Sequence, residues 1–495
     1  MAFSMAWNDG AGGDSGADAD AASRLLAGFR GELYRCLTRR ADALFELADA
    51  VLCQDRTVTD LARLSLVPEF RRGHGALYDG LNEGRADFAR LRRAVAGLPL
   101  PAWPDGRIRL AADVSSWLRP DAAASPGRLF CHVKGRGRSA GQSVPGWPYS
   151  FVAALGPGAS SWALPLDAVR LGPGDDEAEV TAAQLREVTG RLIAAGHWKD
   201  GDPDIIVALD SGYPATRLAH LLKGLPVLLV VRVRSDRVFH GPPGPRRPGA
   251  RGRPSRHGEP VRCADPGGGP AAEVTAAAAS PRHGPLEVSA WHRVHQRLTA
   301  QSPGWEGHPG ALPVIEGTLI RLAATGEAGD RYQPLEPMWL WAPDPEAGPA
   351  LVTVLWQAYL RRFDLEHLFR FIKSRLGWAR PMLRDPAAAD RWTWLIIACC
   401  AQLRLARPIA AEIRLPWQRP QAAGAMTPGR ARAGFRHARE IVGSPARPPK
   451  PASPGPGRPR GSRNQSKAPV QPVGKHHPKP DRHKNRGIKK TKQTG

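Results

Sequence analysis

Two short runs constrain this chain more than any other feature: residues 204–209 (DIIVAL) and 226–231 (PVLLVV) are apolar almost without interruption. A strand with one wet face alternates apolar and polar residues. A run apolar at nearly every position predicts a strand covered on both faces, the habit of parallel sheets. Parallel neighbours need a crossover rather than a tight turn, and residues 215–222 between the runs predict a helix. The chain is therefore committed to an α/β sheet with helices on its faces.

The flanking sequence extends that core. Residues 107–114 (RIRLAADV) predict a first strand, and residues 149–155 and 161–166 a hairpin around Gly156 to Gly158. Residues 179–198 predict an amphipathic helix with Leu185, Val188, Leu192 and Ile193 on one side. Three strands, helix, strand, helix, strand is the order of a ribonuclease-H-like core, expected here over residues 105–407. Its next helix is delayed by residues 232–349, a β-rich insertion that begins Pro/Gly/Arg-rich and then holds strand-like pieces at 312–322 and 338–341. The helix then follows at 352–376, with a second apolar helix at 387–405 behind it. Before the core, residues 22–100 predict a small all-α domain, with Leu25, Leu26, Phe29, Leu33 and Leu37, then Leu44, Phe45, Leu47 and Val51, at helical spacing. Its Arg71, Arg72, Arg85, Arg90, Arg92 and Arg93 suit a grip on DNA or an ordinary solvated face. Residues 1–21 are Gly/Ala/Asp-rich and expected to be disordered. Residues 408–495 are expected to form a disordered basic tail in which Asp481 is the one acid after Pro445.

The formal net charge is +24, which is self-repelling unless it meets a polyanion, and nucleic acid is the usual one. A basic tail on a neutral enzyme is the plainer alternative. The six cysteines are scattered, with no C-x-x-C pair and no zinc-ligand spacing, as in a reduced cytosolic protein. The N-terminal residues lack the basic and apolar regions of a signal peptide, and the most apolar run, 394–401, is too short to span a bilayer. There is no P-loop, and Gly135, Gly137 and Gly141 match no dinucleotide fingerprint.

Three carboxylates carry the candidate chemistry. Asp113 and Asp210 are expected at the ends of neighbouring strands, where ligands of open α/β sheets collect, although capping and turn roles explain most lone Asp residues. The helix around Glu366 is more informative. Tyr359, Arg362 and Lys373 lie at offsets −7, −4 and +7 from Glu366. Seven residues turn a helix by about 700° and four by about 400°, so these side chains form one stripe, which Arg370 joins. Leu360, Phe363, Leu368, Phe371 and Leu376 fall mostly elsewhere and suit a core. On spacing alone the stripe is equally an exposed face with i,i+4 ion pairs such as Arg362–Glu366.

The pattern Tyr359, Arg362, Glu366, Lys373 resembles the Tyr-Arg-Glu-Lys signature of bacterial insertion-sequence transposases, DDE enzymes of ribonuclease-H-like fold with a β-strand insertion. The surroundings of Asp113 (AADVSSWLRP), Asp210 (IIVALDSGY) and Glu366 (RRFDLEHLFRFIK) resemble that group's three acidic motifs in the same order. Together they span about residues 24–407. Pro214 departs from the pattern, since related sequences carry an acid after the Gly-Tyr pair. The resemblance implies cut-and-paste transposition by phosphoryl transfer. Asp113, Asp210 and Glu366 would hold two Mg²⁺ ions, with Mn²⁺ a substitute; Arg362 and Lys373 would hold transposon-end phosphates, Tyr359 would pack against the same strand, and Arg370, on the same stripe, is expected to bind DNA with them. It also implies terminal inverted repeats and target DNA as partners, a homodimer to cut two ends in concert, no membrane association, and a cytoplasmic, nucleoid-associated bacterial location. Two alternatives stay open: a ribonuclease-H-like nuclease without strand transfer, and a transposase-derived DNA-binding protein whose catalysis has lapsed.

Weaker signals complete the reading. Trp291, Trp305, Trp339 and Trp341 are the insertion aromatics that could receive a flipped base, though Trp is more often core. Arg232, Arg234 and Arg237 follow an expected core strand. Residues 251–254 (RGRP) and 457–461 (GRPRG) resemble short minor-groove arms, or a plain flexible polycation.

Overall fold

The computed structural model describes residues 15–133, 142–157, 162–245, 249, 251–325, 332–333, 335–421, 425–451, 461 and 467–474. The N-terminal part comprises α1 (Ser15–Cys36), β1 (Leu37–Arg39), α2 (Ala41–Cys53), α3 (Leu61–Leu64), α4 (His74–Glu83), β2 (Arg85–Ala86) and α5 (Phe88–Ala96). The core follows with β3 (Arg109–Leu118), β4 (Arg128–Val133), β5 (Gln142–Ala154), β6 (Leu164–Arg170), α6 (Glu177–Ala194), β7 (Ile205–Leu209), α7 (Ala215–Leu221) and β8 (Val227–Val233). Next come β9 (Val238–His240), β10 (Pro260–Arg262), β11 (Val274–Ser280), β12 (Gly284–Val294), β13 (Gly317–Ala324) and β14 (Met338–Ala342). The chain continues through α8 (Pro349–Arg361), α9 (Phe363–Ser374), α10 (Pro386–Ala406), α11 (Pro428–Ala433), α12 (Phe435–Val442) and β15 (Val473–Gly474).

The apolar runs behave as their composition requires. All five residues of β7 are buried, and β7 lies between β3 and β8, parallel to both. On the far side of β3 runs β5, antiparallel, which carries β4 and β6 on its other edge. Within the insertion β9 and β10 form a two-stranded sheet of their own, and the other strands extend the central sheet. Strand β14 pairs antiparallel with β8, and β13, β12 and β11 continue the same sheet outward. Helices cover the sheet, with α6 capped by the Asp176 carboxylate and α10 started by capping Asp385 and Pro386 at its first position.

Several sequence expectations need correction. Helix α1 starts at Ser15, inside the stretch expected to be disordered, because the Ala-rich run of residues 17–22 favours helix. The N-terminal part is not purely helical, since β1 and β2 form a small ladder. Nor does it have a core of its own: its buried leucines belong to one apolar cluster with the central sheet and α10. Residues 428–442, expected in a disordered tail, form α11 and α12. Their arginines find buried acids and carbonyls: Arg439 Nε donates to Asp49 Oδ2 at 2.9 Å, Arg436 Nε to Glu69 Oε1 at 2.9 Å, and Arg432 Nε to Val51 O at 3.1 Å. Asp49 is fully buried and also holds Arg30 at 2.7 Å, joining α1, α2 and α12. The helix expected over 352–376 is two, α8 and α9, divided at Arg362.

Candidate acidic site

Register brings the first two acids together. The parallel ladder of β3 and β7 pairs Leu110 with Val207 and ends with Ala112 opposite Leu209. The next residue on each strand is the acid, Asp113 and Asp210. Asp113 is not at a strand terminus, as the sequence suggested, because β3 continues to Leu118 on its pairing with β5. It is instead the first residue of β3 past the β7 ladder, which opens that edge to side chains arriving from α8 and α9.

Those helices deliver the stripe. Tyr359 of α8 donates its hydroxyl to Asp210 Oδ1 at 3.4 Å. Arg362, at the α8–α9 junction, donates Nη1 to Asp113 Oδ2 at 3.0 Å and Nη2 to Glu366 Oε1 at 3.2 Å. The Arg362 side chain is 10% exposed, against 26% for Asp113 and 44% for Glu366. The acidic edge is therefore open on the Glu366 side. Lys373, about two helical turns beyond Glu366, stacks its ammonium 5.6 Å from the Trp378 ring centre and faces Asp113 electrostatically. Arg370 is exposed and makes no ion pair among the described residues, so the structure leaves it outside this network.

Burial raises the Asp113 pKa, and neighbouring Asp210 and Glu366 add to the rise, while Arg362 and the Val114 N–H oppose it. Burial also works against the Arg362 charge, but Tyr359, Asp210, Asp113 and Glu366 together hold its pKa above the ordinary arginine value. Tyr359 is pushed up by burial. Lys373 is pushed down by burial, which Asp113 and Cys131 partly offset. The site is thus a set of carboxylates that needs cations and already uses an arginine as one.

Its donors are all oxygen, the set that suits Mg²⁺ or Mn²⁺ rather than a soft metal. Among the described residues no three acidic, His or Cys side chains stand placed to hold a metal ion, and Arg362 lies between two of the three acids. The donor chemistry fits a hard divalent ion; closing the set round one requires the side chains to shift.

Sequence reasoning missed Tyr213. It is buried, and burial raises its pKa, with Asp113 and Glu177 adding to the rise. The strand beneath Asp113 is fixed from behind as well: Ser150, paired with Val114, donates to Gln184 Oε1 of α6 at 2.7 Å and accepts through its carbonyl from Gln184 Nε2 at 3.0 Å. Pro214 precedes α7 as its cap residue, a position where its lack of an N–H costs no helical hydrogen bond. There it packs on the insertion loop. Gly304, at φ +79°, approaches so closely that a Cβ would lie 3.2 Å from Pro214 Cβ. Trp305 beside it donates to Thr216 Oγ1 at 3.0 Å.

The weaker signals sort cleanly. Trp291, Trp305, Trp339 and Trp341 are all buried, each at most 4% exposed, so all four are core in this structure. Arg232 reaches the site electrostatically through Tyr359, whereas Arg234 and Arg237 pair with Asp236. Residues 251–254 are exposed, and residues 457–460 lie outside the described residues. All six cysteines are buried and unpaired, and among the described residues no helix is long and apolar enough to cross a membrane.

Residues 32–299, more than half of the chain, match the DDE superfamily endonuclease family. The chain belongs to that family. No curated relative matches it. The DDE match contains Asp113 and Asp210 and ends before Glu366, so the third acid rests on the geometry above. Membership implies a nuclease-type enzyme with DNA as its substrate class. DDE superfamily nucleases generally use divalent metal ions.

Proposed function

We propose that this DDE protein is a transposase whose catalytic and metal-holding residues are Asp113, Asp210 and Glu366, on a ribonuclease-H-like core of strand order β6-β5-β3-β7-β8. The observation that carries this reading is the convergence of Asp113 and Asp210 on adjacent strands with Glu366, linked through Arg362 and Tyr359. An exposed helical face with local ion pairs would have no reason to engage two sheet carboxylates 249 and 149 residues distant in sequence.

In this reading Asp113, Asp210 and Glu366 would hold two Mg²⁺ ions, which would supply Lewis acidity to the phosphoryl transfer. Tyr359, Arg362 and Lys373 hold the phosphates flanking the scissile bond, contacts that position DNA without reading its sequence. Arg370, exposed on the same stripe, and Arg232, beside Tyr359, extend the phosphate track. Two copies acting together on two inverted-repeat ends complete the proposal.

A nuclease without strand transfer is the second reading, favoured by the family's endonuclease character. One experiment separates them: purified protein with Mg²⁺ and DNA carrying the ends of the surrounding element, compared with Asp113→Ala. The transposase yields cleaved ends and joined products, and Asp113→Ala lowers both by at least about a thousandfold. Cleavage without joining selects the nuclease. Equal products from both proteins would remove Asp113 from catalysis, and none from either would point to a lapsed enzyme.

A further inference from the structure

Arg362 spans two carboxylates with one guanidinium, Nη1 on Asp113 and Nη2 on Glu366. These are acids that the proposed function gives to divalent ions. Donated N–H groups and a dication compete for the same oxygen lone pairs, so the arginine and the metal oppose each other at this pair. The guanidinium is also incompletely satisfied where it stands. Its Nε is buried and has no hydrogen-bond partner among the described residues. A phosphodiester offers it a better fit, two oxygens matching the planar fork, and the open Glu366 side is the side from which a phosphate would come. The backbone suits a residue that changes partners: Arg362 ends α8 and precedes α9, and its N–H bonds the Tyr359 carbonyl in a tightened turn.

We propose that Arg362 is an interlock between DNA and metal: it neutralises Asp113 and Glu366 in the free protein and releases them when a DNA phosphate takes its guanidinium. Metal and DNA then bind cooperatively, each tightening the other by the same factor. The enzyme is thereby kept from loading metal away from its substrate. The inference rests on the metal-site reading above and adds its regulation.

The test is Mn²⁺ binding to the full-length protein, followed by the spectroscopic signal of free Mn²⁺, with and without a short DNA duplex. Only the part abolished by Asp113→Ala is scored, which removes Mn²⁺ held by the duplex itself. Wild type is expected to bind at least about tenfold more tightly with duplex present. Arg362→Gln is expected to bind that tightly without duplex and to gain little from it. Arg362→Lys, which keeps the charge but loses the fork, should fall between them, and it carries the comparison if Arg362→Gln does not fold. Asp113-dependent binding of equal strength in wild type and the Arg362 variants, unmoved by duplex, would refute the interlock and leave the metal site standing. No Asp113-dependent binding in any of the proteins would overturn both.

Discussion

At the scale of single residues, the acids differ in what their surroundings do to their charge, and Asp364 shows this most sharply. It lies two residues before Glu366 on α9 and pairs with Arg361, yet burial outweighs that partner and Arg282, and raises its pKa from 3.8 to about 7. A carboxyl whose folded pKa is raised holds its proton longer in the folded state than in the unfolded one. Stability is therefore lost as pH rises from about 4 through about 7 and is flat beyond. Asn, which mimics the protonated acid, escapes that loss. Asp364→Asn should be close to wild type near pH 4 and gain on it by on the order of 2–4 kcal/mol by pH 8, measured by chemical denaturation at each pH. A difference that does not vary with pH would show Asp364 to be ionised throughout. Asp364 could not be recognised from sequence, because i,i+3 spacing to Arg361 describes a solvated pair equally well. Glu366 and Asp113 could, because their neighbours form patterns. Tyr213 is a lone aromatic after Asp210, and only its burial within reach of the Asp113 charge gives it meaning.

Among the elements, the core strands were legible because burial on both faces writes itself into β7, and into β8 as far as Val231, as uninterrupted apolar residues. The insertion was legible only in part. Strand β11 is largely alanine, and β9 and β10 flank a Pro/Gly/Arg-rich stretch, so neither period nor propensity marks them. The α8–α9 division was hidden too, since Arg362 keeps helical angles of φ −51° and ψ −30°. β9 and β10 pair with each other, His240 bridges to His295 just past β12, and a histidine cluster sits at that junction. His257 Nδ1 and His295 Nε2 share a hydrogen bond of 2.9 Å, and the His240 ring centre lies 5.5 Å from that of His257. One ring of the bonded pair must be neutral to accept. Burial, then the neighbouring histidines, lowers the pKa of His257 and His295 below the ordinary 6.5; Arg256 and Arg297 press the same way on His257, and Glu316 opposes it at His295. A base with a lowered folded pKa contributes stability above the unfolded value and loses it as pH falls. Peptides covering β9, β10 and the end of β12 should therefore exchange amide hydrogens faster below pH 6.5 than at pH 7.5, after correction for intrinsic rates, while β7 does not change. His295→Gln, lacking the titrating ring, should flatten that dependence. Equal protection at both pH values in wild type would mean the cluster stays neutral throughout.

For the whole molecule, the question is how the excess positive charge divides between fold and substrate. Part of it is structural: Arg30, Arg432, Arg436 and Arg439 hold buried or half-buried acids and carbonyls that join the N-terminal helices to α11 and α12. A protein ending at Pro420 would strip Arg436 from buried Glu69 and leave Asp49 with Arg30 alone, and a buried charge that loses its partner costs about 3–5 kcal/mol. That truncation should unfold at markedly lower denaturant. A protein ending at Lys450 keeps all four arginines, as well as the Arg447 N–H bond of 2.9 Å to Asp42, and loses little more of the described fold than the β15 edge pairing. What it does lose is charge, because residues 451–495 hold twelve Lys and Arg against Asp481 alone. Charge in such excess over its own acids is available to phosphates, and each neutralised phosphate steepens the fall of affinity with salt by about 0.9 in log–log slope. The Lys450 truncation should therefore melt near the full chain, yet bind random duplex DNA more weakly, with a slope shallower by at least about 3. Titrations at several salt concentrations measure it. An unchanged slope would assign the DNA contacts wholly to the folded part, and the tail's charge would then need another polyanion to explain it.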